Sequence, residues 1–146
     1  MFSRYLTFAT CLIGILFTCC APGKEFPQKY KGTQLHFGQG GGFTGAVDYF
    51  VLFDDGRLFK RAPLDSTYTY MEKWDAPFVP QMFDNIQTLH LDQIQYYEPG
   101  DKYYFIQFKK DDGAFHRIAW GNPSSKPDPG VVSLYNVLFK STKSKS

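Results

Sequence analysis

Cysteine is nearly absent from this chain, and what there is sits at one end. The only cysteines are Cys11, Cys19 and Cys20. Everything beyond residue 20 is therefore without a disulfide, a thiolate metal site or a cysteine nucleophile. An excess of one charge is also lacking: 16 Lys and Arg stand against 14 Asp and Glu, a formal net charge of +2. Lys140, Lys143 and Lys145 gather in the C-terminal tail, which leaves the body slightly acidic. With no basic stripe to neutralise phosphates, nucleic acid is not an expected partner. Long hydrophobic runs are missing too. The apolar run from Tyr5 to Phe17 falls well short of the ~20 residues that a spanning helix needs. Histidine is scarce, and His36, His90 and His116 show neither H-x-x-x-H nor H-E-x-x-H spacing. No metal and no cofactor is expected from them.

What the chain does have is an export leader. Arg4 precedes the apolar run, and Ala21-Pro22-Gly23 makes a turn after it. The length suits a signal-peptide core of ~7–15 residues. In place of a small-x-small cleavage site, Leu16-Phe17-Thr18 leads into Cys19. That arrangement resembles the lipobox of bacterial lipoproteins, which implies a diacylglycerol on the cysteine thiol and cleavage just before it. Cys19 is the expected acceptor, with Cys20 as the alternative. Two or three acyl chains hold a protein on a membrane surface, where a single chain binds only marginally. The expected organisation is a leader over 1–18, a lipidated N-terminus and polar tether over 19–31, one globular domain over 32–140 and a basic tail over 141–146.

The domain reads as α+β. Val47 to Phe53 alternates, Asp54-Asp55-Gly56 is a hairpin turn, and Arg57 to Arg61 returns. Thr67 to Met71 is a further strand. Tyr103 to Lys109, the turn Asp111-Asp112-Gly113 and Phe115 to Trp120 repeat the hairpin. Val79, Met82, Phe83, Ile86 and Leu89 form one stripe of a helix, and Val131, Leu134, Tyr135, Leu138 and Phe139 form another, with Asp128 as its cap and Pro129 at its opening. The order β-β-β-α-β-β-α predicts an antiparallel sheet of about five to six strands built from two hairpins, with both helices on one face.

The motif that stands out is Gly38-Gln39-Gly40-Gly41-Gly42-Phe43-Thr44-Gly45. Gly40, Gly42 and Gly45 satisfy G-x-G-x-x-G, but a dinucleotide site needs a helix after the glycines, and here a strand follows. No Gly-Lys-Ser/Thr and no G-x-S-x-G is present. Two readings remain. The glycines either shape a hairpin loop, or Gly40, Gly41, Gly42, Phe43, Thr44 and Gly45 form a binding loop with Phe43 as an apolar finger.

The run from Phe37 to Gly45, the run from Pro99 to Phe105, Trp120-Gly121 and the terminal Leu134-Tyr135 helix together resemble small lipoproteins of Bacteroidetes-type bacteria. The resemblance spans most of the domain and implies an envelope location, without an assigned activity to carry over. The expected protein is a lipid-anchored component of the bacterial cell envelope, on the periplasmic side of the outer membrane. Its expected role is non-catalytic binding or structure, with an envelope protein or peptide as partner. Two alternatives are a small hydrolase built on His36 and His116, which needs both rings in one pocket, and a glycan module, which needs Trp74 or Trp120 lying flat on the surface.

Overall fold

Alternating apolar residues around Asp-Gly turns produce paired strands, and the computed structural model shows how the pairs combine. It describes residues 26–109 and 113–143. The expected leader over 1–18, Cys19, Cys20, the first part of the expected tether, the Asp111-Asp112 pair and residues 144–146 lie outside the described residues.

The strands are β1 (Gln34–Gly41), β2 (Val47–Phe53), β3 (Arg57–Arg61), β4 (Tyr68–Lys73), β5 (Tyr97–Glu98), β6 (Lys102–Lys109) and β7 (Phe115–Trp120). They form one sheet in the order β4-β3-β2-β1-β6-β7-β5. β1 is central and joins the two hairpins, pairing antiparallel with β2 on one side and β6 on the other. Its register sets Phe37 opposite both Phe50 and Ile106, and Leu35 opposite both Leu52 and Phe108.

The fold is α+β, as expected, with a larger sheet than the alternation reveals. The additional strand, β5, is two residues long and pairs parallel with β7, so the sheet is mixed rather than antiparallel. Bonds from Ala119 N–H to the Tyr96 carbonyl and from Asn122 N–H to the Glu98 carbonyl, both 3.0 Å, hold it there. A two-residue strand has no room for a period of two, so nothing in the sequence marks it.

Helices α1 (Phe78–Thr88) and α2 (Pro129–Ser141) cover one face. Pro80 sits in the first turn of α1, where an absent N–H costs nothing. Asp128 caps α2 by accepting from Gly130 N–H at 2.7 Å, and Pro129 opens it. Val79 and Met82 of α1 meet Leu35, Phe37, Leu52, Ile106 and Ile118 in the main core, together with Val131, Leu134 and Leu138 of α2. Each such side chain contributes ~1.5–3 kcal/mol by leaving water. No helix among the described residues is long and apolar enough to cross a membrane.

The other face carries a second, smaller cluster of Val51, Phe53 and Phe59. Part of its cover comes from a segment that its prolines and lack of period mark as tether. Residues 26–30 turn back on themselves, Tyr30 stacks on Phe53 at 3.9 Å, and its hydroxyl donates to Asp54. Gln34 Nε2 fixes the turn by donating to the Pro27 carbonyl at 2.8 Å. Residues 26–30, read as tether, thus pack against the domain. Aromatic stacking on a neighbouring strand, which no local pattern reveals, recruits those residues.

Candidate functional site

The glycine-rich segment divides between a strand and a hairpin tip. Gly40 and Gly41 belong to β1, where Gly40 pairs with Val47 and Gly41 with Lys102. Gly42, Phe43, Thr44 and Gly45 form the tip. Gly41, Gly42 and Gly45 have φ of +89°, +75° and +61°, a region that L side chains avoid. A Cβ at Gly41 would lie 1.9 Å from the Asp101 carbonyl oxygen. Gly42 N–H donates to that same oxygen at 2.6 Å, and Gly45 N–H donates to the Gly42 carbonyl at 3.1 Å. The backbone is thus tied into a fixed loop, and Phe43 projects from it with a relative exposure of 109%. Nothing lies within 4 Å of a Cβ built at Gly42 or Gly45, so the tip stands clear of the body.

A second exposed tip lies at the same end of the sheet. β2 and β3 are neighbours, so the β1–β2 and β3–β4 connections emerge together, two strand spacings or ~10 Å apart. Leu64 is at the crest of the β3–β4 connection and is 100% exposed. Nothing in the sequence marks this connection, and only the topology sets it beside Phe43.

His36 and His116 are not brought together. Along β1 and β7 their registers place His36 opposite Gln107, and His116 opposite Phe108. Those partners face opposite sides of the sheet. His116 turns to the helix side, where Nε2 lies 2.9 Å from the Ile94 carbonyl oxygen. His36 turns to the other face, is 5% exposed, and has Nδ1 3.0 Å from the Tyr49 hydroxyl. No common pocket joins the two rings. His90 lies just past the first helix with a left-handed φ of +50°. Trp74 and Trp120 are 5% and 7% exposed and belong to the main core, so neither is a sugar-stacking platform. No group of three metal-ligating side chains occurs among the described residues.

The face opposite the helices has its own chemistry. Gly38 in β1 leaves a gap over which the ring of Phe105 leans, and a Cβ there would come within 3.0 Å of it. Tyr103 lies over Gly40 in the same way. Tyr49 and Phe105 rings are 5.2 Å apart. Guanidiniums rest on this paving: Arg61 lies 5.3 Å from the Tyr49 ring centre, and Arg117 lies 4.2 Å from that of Phe105. Burial pushes the Tyr49 hydroxyl up to about 12, against an opposing pull from Arg117 and Arg61. Burial also pushes the His36 imidazole down to about 4, so it is neutral near pH 7. Tyr49, Arg61, Phe105 and Arg117 escape a reading of the sequence because they come from four strands, β2, β3, β6 and β7, aligned on either side of β1. The signal present was the alternation that sets each of them on a common face.

No protein-family model matches the chain, and no curated protein is significantly similar to it.

Proposed function

We propose that this is a lipid-anchored cell-envelope protein with a non-catalytic binding role, and that its contact element is the hairpin tip carrying Phe43. The observation that carries the reading is the complete exposure of Phe43 on a loop whose backbone is fixed by glycine conformations and internal hydrogen bonds. A fixed apolar finger binds with little ordering cost, which is what a contact residue requires. Leu64 beside it widens the apolar end. The leader and the cysteine pair support the anchor, with Cys19 as the acceptor and Cys20 as the alternative. The partner is an envelope protein or peptide on the periplasmic side of the outer membrane.

Two measurements test this. Incorporation of labelled fatty acid is expected in the native chain and is lost in the Cys19→Ala, Cys20→Ala double variant; undiminished labelling ends the anchor proposal. A photo-crosslinker at position 43 in intact cells is expected to capture a discrete partner, while one at the exposed helix position Asp84 does not. Identical adducts from both positions would remove the loop from the binding role.

A further inference from the structure

Beside α1, at the end of the sheet where the chain enters, lies an open groove of about 1160 Å³. That is roomier than the ~300–1,000 Å³ of most small-molecule pockets. One wall is the entry segment Lys31-Gly32-Thr33 with Asp54 of the β2–β3 turn. The other is the flank of α1 from Pro80 to Gln87, with His90 just past it. Phe83 and Ile86, both partly exposed, give the helix wall an apolar patch. Both carboxylate oxygens of Asp54 are held by its own wall, one accepting from the Tyr30 hydroxyl and the other from Thr33 N–H at 2.9 Å. The Lys31 ammonium and the Asp84 carboxylate are different. Both residues are exposed, and neither has an ion-pair or hydrogen-bond partner among the described residues. The unpaired charges on the two walls are therefore opposite in sign.

We infer that this groove binds a short peptide with free ends and an apolar side chain, its ammonium on Asp84, its carboxylate on Lys31 and its side chain on Phe83 and Ile86. An ion of one sign finds half a site here, because each wall repels what the other attracts. A hydrocarbon chain would strip water from Asp84, Gln87 and His90 and leave them without partners, which is costly. A zwitterion satisfies both charges at once through charge-assisted hydrogen bonds. The Gln87 and His90 side chains, which have no partner of their own among the described residues, supply donors and acceptors for the amide groups between its ends. Neither edge strand, β4 nor β5, lines the groove, so strand addition is not the mode of capture. Recognition falls instead to the ends and the side chain of the ligand. The groove lies at the opposite end of the sheet from Phe43, and it stands or falls independently of the tip contact and of the anchor.

The test is a titration of the full chain in detergent, at low salt, with the tripeptide Ala-Leu-Ala, followed by nitrogen-15 NMR of the backbone amides. Saturable shifts at Gly32, Thr33 and Gln87 are expected, with a Kd on the order of 1 mM for so small a probe. Acetylating the amine or amidating the carboxylate of the tripeptide is each expected to weaken binding about threefold. Asp84→Asn no longer distinguishes the acetylated peptide from the free one, and Lys31→Gln no longer distinguishes the amidated one. Both positions are exposed, so the variants fold. Lys140→Gln, an equal charge change on α2, leaves every Kd as it was. Triglycine, which lacks the apolar side chain, binds more weakly than Ala-Leu-Ala. Absence of a saturable shift overturns the site, as do blocked peptides that bind as tightly as the free one, or variants that keep the discrimination. Triglycine binding equally well overturns the apolar contact, and the neutral sugar maltose binding as tightly as the tripeptide overturns the ligand class.

Discussion

His36 ties one side chain to the stability of the whole molecule. Its ring is enclosed beside Tyr49 and Phe115, the latter edge-on at 5.5 Å, and burial holds its pKa at about 4 against an ordinary value of 6.5. Between those values the unfolded chain takes up a proton that the folded chain refuses. Stability is therefore full above about pH 6.5, falls as the pH drops, and levels off below about 4, a total loss on the order of 3 kcal/mol. Urea unfolding at pH 7.5 and at pH 4.5 measures the difference. His36→Gln, which retains a group able to bond the Tyr49 hydroxyl and does not titrate, is expected to flatten much of the slope. An equal slope in both proteins would assign the acid sensitivity elsewhere. The sequence places His36 on a strand, but not what it touches. Tyr49 comes from β2 and Phe115 from β7, and their approach depends on register across β1.

Elements differ in what their glycines do, and β1 with its hairpin contains both cases. Gly38 lies in the middle of a strand, where a Cβ would stand 2.0 Å from the Asp48 carbonyl oxygen and 3.0 Å from the Phe105 ring. Gly42 stands in the tip, where a Cβ meets open space but φ is +75°. Gly38→Ala must displace backbone, and is expected to cost on the order of 3 kcal/mol. Gly42→Ala carries the left-handed penalty alone, ~1–2 kcal/mol. Thermal or urea melts of the two variants separate them; a larger loss for Gly42→Ala would mean that tip conformation, not strand crowding, governs the hairpin. Both hairpins and both helices were legible because each has a local signature: Asp-Gly at the turns, a stripe at α1, Asp128-Pro129 at the start of α2. The exposure of Phe43 belonged to only one of the two readings that the glycine run left open. β5, the docking of Tyr30 and the seating of Arg61 on Tyr49 and of Arg117 on Phe105 were not, since each is created by a partner distant in sequence.

At the scale of the whole molecule, the chain's entry into the domain and its apolar tips lie at opposite ends of the sheet. Residues 26–33 are fastened at the β2–β3 turn, with Asp54 N–H donating to the Thr33 carbonyl at 3.1 Å, and β1 then runs away from that turn to Gly41. Eight residues of strand cover roughly 27 Å. The steps from Cys19 to Phe26 reach at most ~25 Å when fully stretched. An anchored domain standing with Phe43 and Leu64 toward the lipid would need that link pulled almost straight, at a loss of chain entropy. With the β2–β3 turn toward the lipid the link stays slack. For a chain anchored as proposed, physical economy therefore directs the apolar tips away from the membrane, toward the proposed partner. Fluorophores placed through Asp55→Cys and Thr44→Cys, each in a Cys11→Ser, Cys20→Ser background and reconstituted in vesicles containing nitroxide-labelled lipid, measure the orientation. The label at position 55 is expected to be quenched more strongly than the label at 44. The reverse order would mean that Phe43 and Leu64 insert into the bilayer that holds the anchor, and the proposed partner at that end would be lipid instead of protein.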